Sequence, residues 1–277
     1  MPKSVHYSLP VTVEYLDHIE SLKYNAILNS ASNKSGLSQY HQPMGIKVRK
    51  KFSGLYDTFW CCTASGMEAM SEIQKNIWFK SQDSILLNMF IKSEVLWEEK
   101  DIIIRQDTKY PDGQISVLTV EAQRPTEFKL ILKANNIQSV KINSEYLELE
   151  SHMGFITIHR IFNNNDSIEL EINASLGFVY LKGCQDKVAV TYGKLVLALV
   201  GEGRLTQGIN PENLIKKIFK NPTQQLSFCY ENNGERITLI PLFRVEEEEY
   251  SVYFDLNNSN LISEFKFAKD GKEAYNS

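Results

Sequence analysis

Residues 167–174 read "SIELEINA", with Ile168, Leu170 and Ile172 alternating with Glu169 and Glu171. A period of two puts the aliphatic residues on one face of a strand and the carboxylates on the other. The same kind of short run recurs on both sides: "SILLNMFI", "DIIIRQD", "QISVLTVEA", "EFKLILKA", "SVKIN", "GFITIHRIF", "VAVTY" and "KLVLALV". Turn formers separate them at the spacing of an antiparallel sandwich or barrel. Further strands are expected in "LSFCYENNGERITLIPLF" and "EYSVYFDL", and a short helix in "INPENLIKKIF", with Pro211 near its start. The "EEEE" at 246–249 reads as a solvated connection.

The first eighty residues differ. In "VTVEYLDHIESLKYNAILNSA", Val13, Leu16, Ile19, Leu22, Tyr24, Ile27 and Leu28 fall near a 3.6-residue stripe. "SNKSGLSQYHQPMG" follows as loop, and a second helix is expected from about Thr63 through Met67, Met70, Ile73, Ile77 and Trp78. The fold class expected is therefore α+β, mainly β. A helical segment (1–80) precedes a β-sandwich region (81–277). Two amphipathic helices cannot bury their stripes on each other alone, so the helical part reads as the remainder of something larger.

Bulk properties narrow the functions. The 277 residues carry a formal net charge of −4, with no broad basic footprint for nucleic acid. "KVRKK" (Lys47–Lys51) is a short basic run read as a solvated loop. No window approaches a membrane span, and the N-terminus has no uninterrupted apolar core for a signal peptide. A cytoplasmic protein is expected. Cys61, Cys62, Cys184 and Cys229 are too few and too irregular for a disulfide framework. Cys184 and Cys229 read as small buried hydrophobes, and His159 as a packed or surface residue. There is no P-loop, HExxH or GxSxG.

One stretch invites chemistry. "TFWCCTASGME" (58–68) places Cys61 and Cys62 side by side where loop meets helix. Adjacent cysteines seldom bridge each other. Three roles stay open on the residues alone: buried small side chains, a pair of metal ligands, or a nucleophile. Backbone N–H groups at a helix start favour a thiolate.

The surroundings resemble glycoside hydrolase family 127, the β-L-arabinofuranosidase family. The resemblance rests on Phe59-Trp-Cys-Cys62 followed by Gly66-Met-Glu68, and on Gln106-x-Thr-x-Tyr-Pro111. "IESLKYNAIL", "SQYHQP" and the later strand runs match in order. It implies part of an (α/α)6 barrel followed by β-sandwich, and a retaining hydrolase with a zinc-bound cysteine. By position, Cys61 would be the nucleophile and, with Cys62, a zinc ligand. Tyr40 would line the sugar pocket, and the partner would be a glycan containing L-arabinofuranose. The family's Glu-x-Cys zinc ligands and acid/base glutamate lie well upstream of the nucleophile, and no Glu-x-Cys occurs in this chain. Glu68 and Glu72 read as a solvated helix face rather than substitutes. The expectation is thus an incomplete catalytic centre, inactive alone, that a separate N-terminal barrel half or the rest of a longer product would complete. The alternative is a non-catalytic β-sandwich module that binds carbohydrate or a protein partner.

Overall fold

The structure is a computed structural model describing residues 12–184, 186–201, 211–232 and 235–256. It is mainly β, with the two longer helices near the N-terminus and one short helix later in the chain. Helix α1 spans Val13–Leu22, widens into a π turn at Lys23–Ile27 and ends in a tighter 3-10 turn at Leu28–Ser30. The expected stripe is only partly realised. Leu16 and Tyr24 are buried, but Leu22 is exposed, while the charged Glu20 and Lys23 lie inside. The π turn shifts the register, so the 3.6-residue pattern does not carry across Lys23.

Helix α2 runs Cys61–Ser71, two residues earlier than expected, and gives way to a 3-10 turn at Ile73–Asn76. A strand then begins at Trp78, so the helix does not reach that residue. Ile77 turns into the strand core, where a β partner offers more burial than a further helical turn. Helix α3 is the short Pro211–Ile215. Ile209 and Asn210 of the expected helix lie outside the described residues.

The strands form three sheets. The first has the order 78–80, 84–87, 126–133, 155–162 and 151–152. The second has the order 93–97, 102–108, 115–122, 167–172, 137–142 and 145–146. Pairing is antiparallel except that Ser84–Leu87 runs parallel to Thr126–Lys133, with Ile85 opposite Leu130. The chain crosses to the second sheet and back between those two strands, a connection long enough to allow it. These sheets share one core, in which Phe128 stacks on Phe162 with ring centroids 4.2 Å apart and meets Trp97 edge-on at 5.6 Å. Ile168, Leu170 and Ile172 all face it, as their alternation requires.

The third sheet has the order 176–180, 187–192, 195–200, 235–241, 228–232 and 218–220. Strands Tyr250–Ser251 and Tyr253–Asp255 pair with its middle. Its core includes Tyr192, Leu197, Phe228 and Leu239, and the helical segment packs there through Tyr24 and Leu28. Asn25 fastens this contact. Its amide donates to the Lys194 carbonyl at 2.7 Å, and its carbonyl oxygen accepts from the Val196 N–H at 2.8 Å. Tyr110 touches both cores, and Arg244 donates to both carboxylate oxygens of Asp112 at 2.9 Å. The sandwich and the third sheet are therefore tied at the 108–114 turn.

Two charge runs behave unlike solvated connections. Lys50, within "KVRKK", is buried, and its ammonium donates to the Leu242 carbonyl at 3.0 Å. Glu246, the first of the "EEEE" run, is buried and accepts from Ser32 Oγ and the Asn33 N–H, each at 2.7 Å. Both serve as tethers between the 29–53 loops and the third sheet. Buried charges survive there because each is hydrogen-bonded. No helix among the described residues is long and apolar enough to cross a membrane.

Candidate active site

The site is assembled from two loops and the first turn of α2. The residue before the helix, Trp60, is extended (φ −83°, ψ 164°), and no side chain caps the helix start. Cys61 and Cys62 are thus the first two helical residues rather than the end of a loop. Cys61 is exposed and Cys62 half-buried, with their sulfurs 3.8 Å apart. Burial, the hydrogen bond with Cys61 and the charge of Cys61 together push the Cys62 thiol up. The backbone hydrogen bond at the helix start acts the other way but is the smallest of these effects.

The sulfur separation fits zinc. Two Zn–S bonds of about 2.3 Å at a tetrahedral angle place the sulfurs about 3.8 Å apart. The pair can therefore form one edge of a zinc tetrahedron. The other edge is not supplied: among the described residues no three His, Cys, Asp or Glu side chains cluster as metal ligands do. Glu68 is exposed, and Glu72 pairs with Lys75 at 2.6 Å, so neither turns toward a shared site with the cysteines.

Tyr40 is brought to the same place. It is 49% exposed, and its ring meets Trp60 edge-on at 5.7 Å and His41 at 4.6 Å. Two residues earlier, Ser38 shares a 2.8 Å hydrogen bond with Thr63, on the first turn of α2. The backbone of Ser38 is fixed by a bridge to Ala31 and by its carbonyl accepting from Ser53 N–H at 2.8 Å. Trp60 belongs to the Phe59-Trp-Cys-Cys62 stretch, but neither Ser38 nor Thr63 carries a motif that singles it out in sequence. Their role is visible only once the two loops meet.

On the flank of α2 lies an open cleft of about 690 Å³, bordered by Leu37, Leu55, Phe59, Thr63, Met67 and Met70. Helix α2 buries no side chain, and Leu55, Tyr56, Phe59 and Met67 are 73, 99, 75 and 66% exposed. The remaining candidates stand apart. Cys229 is buried and accepts from Arg236 Nη2 at 3.1 Å, and exposed His159 pairs with Glu127 at 3.2 Å. Cys184 is not the buried hydrophobe expected. It is half-exposed and donates to Asp186 at 2.6 Å, a contact open to it because it sits in a turn.

Two family models match the chain. The one described as "Beta-L-arabinofuranosidase, GH127 catalytic domain" matches residues 7–75, and that of the "GH127 middle domain" matches residues 84–174. The first contains Tyr40 and both cysteines of the pair. A comparison with curated proteins finds no match. Among solved structures, a GH127 beta-L-arabinofuranosidase from Geobacillus stearothermophilus T6 superposes with a TM-score of 0.67 at 17% identity, covering 88% of this chain and 46% of that one. A protein described as a glycoside hydrolase gives 0.70 at 16% identity, covering 88% and 48%. A GH127 beta-arabinofuranosidase gives 0.68 at 18% identity, covering 88% and 46%. At such identities the superpositions speak for the fold, and the chain spans about half the length of these structures. The two family models describe consecutive domains of one family and together take up more than half of the residues. The chain belongs to glycoside hydrolase family 127.

Proposed function

We propose that this chain carries the thiol side of a retaining β-L-arabinofuranosidase. Cys61 is the nucleophile, Cys62 its companion zinc ligand, and Tyr40 a wall of the sugar pocket. The observation that carries the reading is the exposed Cys61–Cys62 pair, 3.8 Å apart, inside the segment that matches the family's catalytic domain. When bound, zinc would hold both sulfurs as thiolates at neutral pH.

The chemistry asked of Cys61 is displacement at the anomeric carbon. Its sulfur forms a C–S bond as the glycosidic C–O bond breaks, and an acid protonates the departing oxygen. Water then attacks the same carbon, giving a proton to the base left by that acid, the C–S bond breaks to return the thiolate, and the sugar leaves with its configuration retained. The acid and the two further metal ligands come from outside the described residues. The exposed face of α2 is the surface on which an additional helical portion, in a longer product or a separate chain, would complete the centre. Reduced thiols are required throughout, which suits the cytoplasm.

The test combines this chain with the portion of a family member that precedes the matched region, and follows arabinose release from an aryl β-L-arabinofuranoside. Turnover that needs both parts and is lost in Cys61→Ser supports the proposal. A reconstituted mixture without turnover or bound zinc overturns it. Glycan binding without turnover, insensitive to Cys61→Ser, would instead favour a non-catalytic sandwich module.

A further inference from the structure

The loop that carries Tyr40 and the helix that carries Cys61 are far apart in sequence, yet they meet at two points. Beneath, the Ser38 and Thr63 hydroxyls share a hydrogen bond at 2.8 Å. Above, the Tyr40 ring contacts Trp60 at 5.7 Å. Each point lies one or two residues from the group it would place: Ser38 before Tyr40, Trp60 before Cys61, Thr63 after it. The loop end is rigid. Ser38 is buried, its N–H donates to Ser53 Oγ at 3.3 Å, and Gln39 beside it bridges Phe52 and donates to the Asn29 carbonyl at 2.6 Å. The helix end is held by fewer contacts, since α2 fully buries no side chain and has no capping side chain.

From this asymmetry we infer that Ser38 and Thr63 are positioning residues: their hydroxyl pair anchors the first turn of α2 to the rigid loop and fixes Cys61 relative to Tyr40. The inference rests on Cys61 being the reacting thiol. With the bond in place, the first turn is held and Cys62 stays half-covered while Cys61 faces solvent. Without it, the turn frays and the two thiols become alike.

The test uses the full chain without metal or substrate. Iodoacetamide modification of Cys61 and Cys62 is followed separately by peptide mass spectrometry, in the unaltered protein and in Thr63→Val, Ser38→Ala and Thr63→Ser. The unaltered protein is expected to react faster at Cys61. Thr63→Val and Ser38→Ala are expected to lower the Cys61-to-Cys62 rate ratio by about fivefold, the factor of one hydrogen bond. Thr63→Ser, which keeps the hydroxyl, is expected to keep the ratio, with thermal midpoints close to the parent's showing the fold intact. A Thr63→Val ratio within about twofold of the parent, below the factor one hydrogen bond supplies, overturns the inference. So does a Thr63→Ser protein that behaves like Thr63→Val, or equal reactivity in the unaltered chain. Because the readout needs neither zinc nor turnover, failure of the hydrolase reading leaves this result interpretable.

Discussion

The Lys133 ammonium lies 2.6 Å from Glu20 Oε2, and both side chains are almost wholly buried. Asn136 donates to the same oxygen at 2.9 Å. Asp17 extends the cluster, meeting Lys133 at 3.3 Å and Lys194 at 2.7 Å. One face of α1 is thereby bound to the sandwich through Lys133 and to the third sheet through Lys194. A buried ion pair is costly to assemble but more costly to break on one side. Lys133→Met should therefore destabilise the chain by about 3–5 kcal/mol. Glu20→Met/Lys133→Met should recover most of the loss. Urea unfolding of the three proteins checks this; equal losses in the single and double variants would refute it.

Gly154 is the second place where α1 leans on the sandwich. Its φ is +80°, and an added Cβ would lie 2.7 Å from Val13 Cγ2. Gly154→Ala should cost about 1–2 kcal/mol from the left-handed backbone alone, with a steric term on top. Val13→Ala in the same chain should remove only the steric term. Thermal melts of the single and double variants separate the two.

The Arg244–Asp112 pair is half-buried and joins the sandwich turn to the third sheet. Arg244→Ala should cost about 1.5–3 kcal/mol, the range for hydrogen bonds to charged groups. Asp112→Asn, which keeps one acceptor, should cost less. Denaturant midpoints order the two, and a neutral Arg244→Ala would show that the tie carries no weight.

Burial lowers Lys50 from 10.5 to about 8, against the charges of Glu246 and Glu248. The unfolded chain keeps the proton up to about 10.5, so between pH 8 and 10.5 it binds more protons than the folded chain. Stability from this site is least below pH 8 and rises through that window. The stability of the parent should therefore gain on that of Lys50→Met from pH 8 to 10. Parallel curves would contradict the burial of the charge.

The strands were legible because their burial is periodic: Ile168, Leu170 and Ile172 announce the face they bury. Lys50 and Glu246 were not, because each sits in a run of like charge, and only partners about 200 residues away show which member turns inward. The cysteine pair drew notice in sequence as adjacent residues at a loop–helix junction, and the Tyr40 ring lies 5.7 Å from that of Trp60, the residue before the pair. The Ser38–Thr63 contact left no trace in sequence, since one hydroxyl in a loop and one on a helix turn carry no common spacing or period. The start of α2 was misjudged by two residues because Trp60, with no capping side chain, gives none of the usual signs of a helix N-terminus.

Helix α2 has a consequence for hydrogen exchange. With no side chain buried, its opening is opposed by little beyond its own backbone hydrogen bonds and its few tethers. Its amides should exchange far sooner than those of Leu118 or Leu170, at the centre of the sandwich. Whatever comes to cover the 55–70 surface would slow that exchange in proportion to its own concentration and affinity. The candidate nucleophile thus sits on a helix whose order association would readily change.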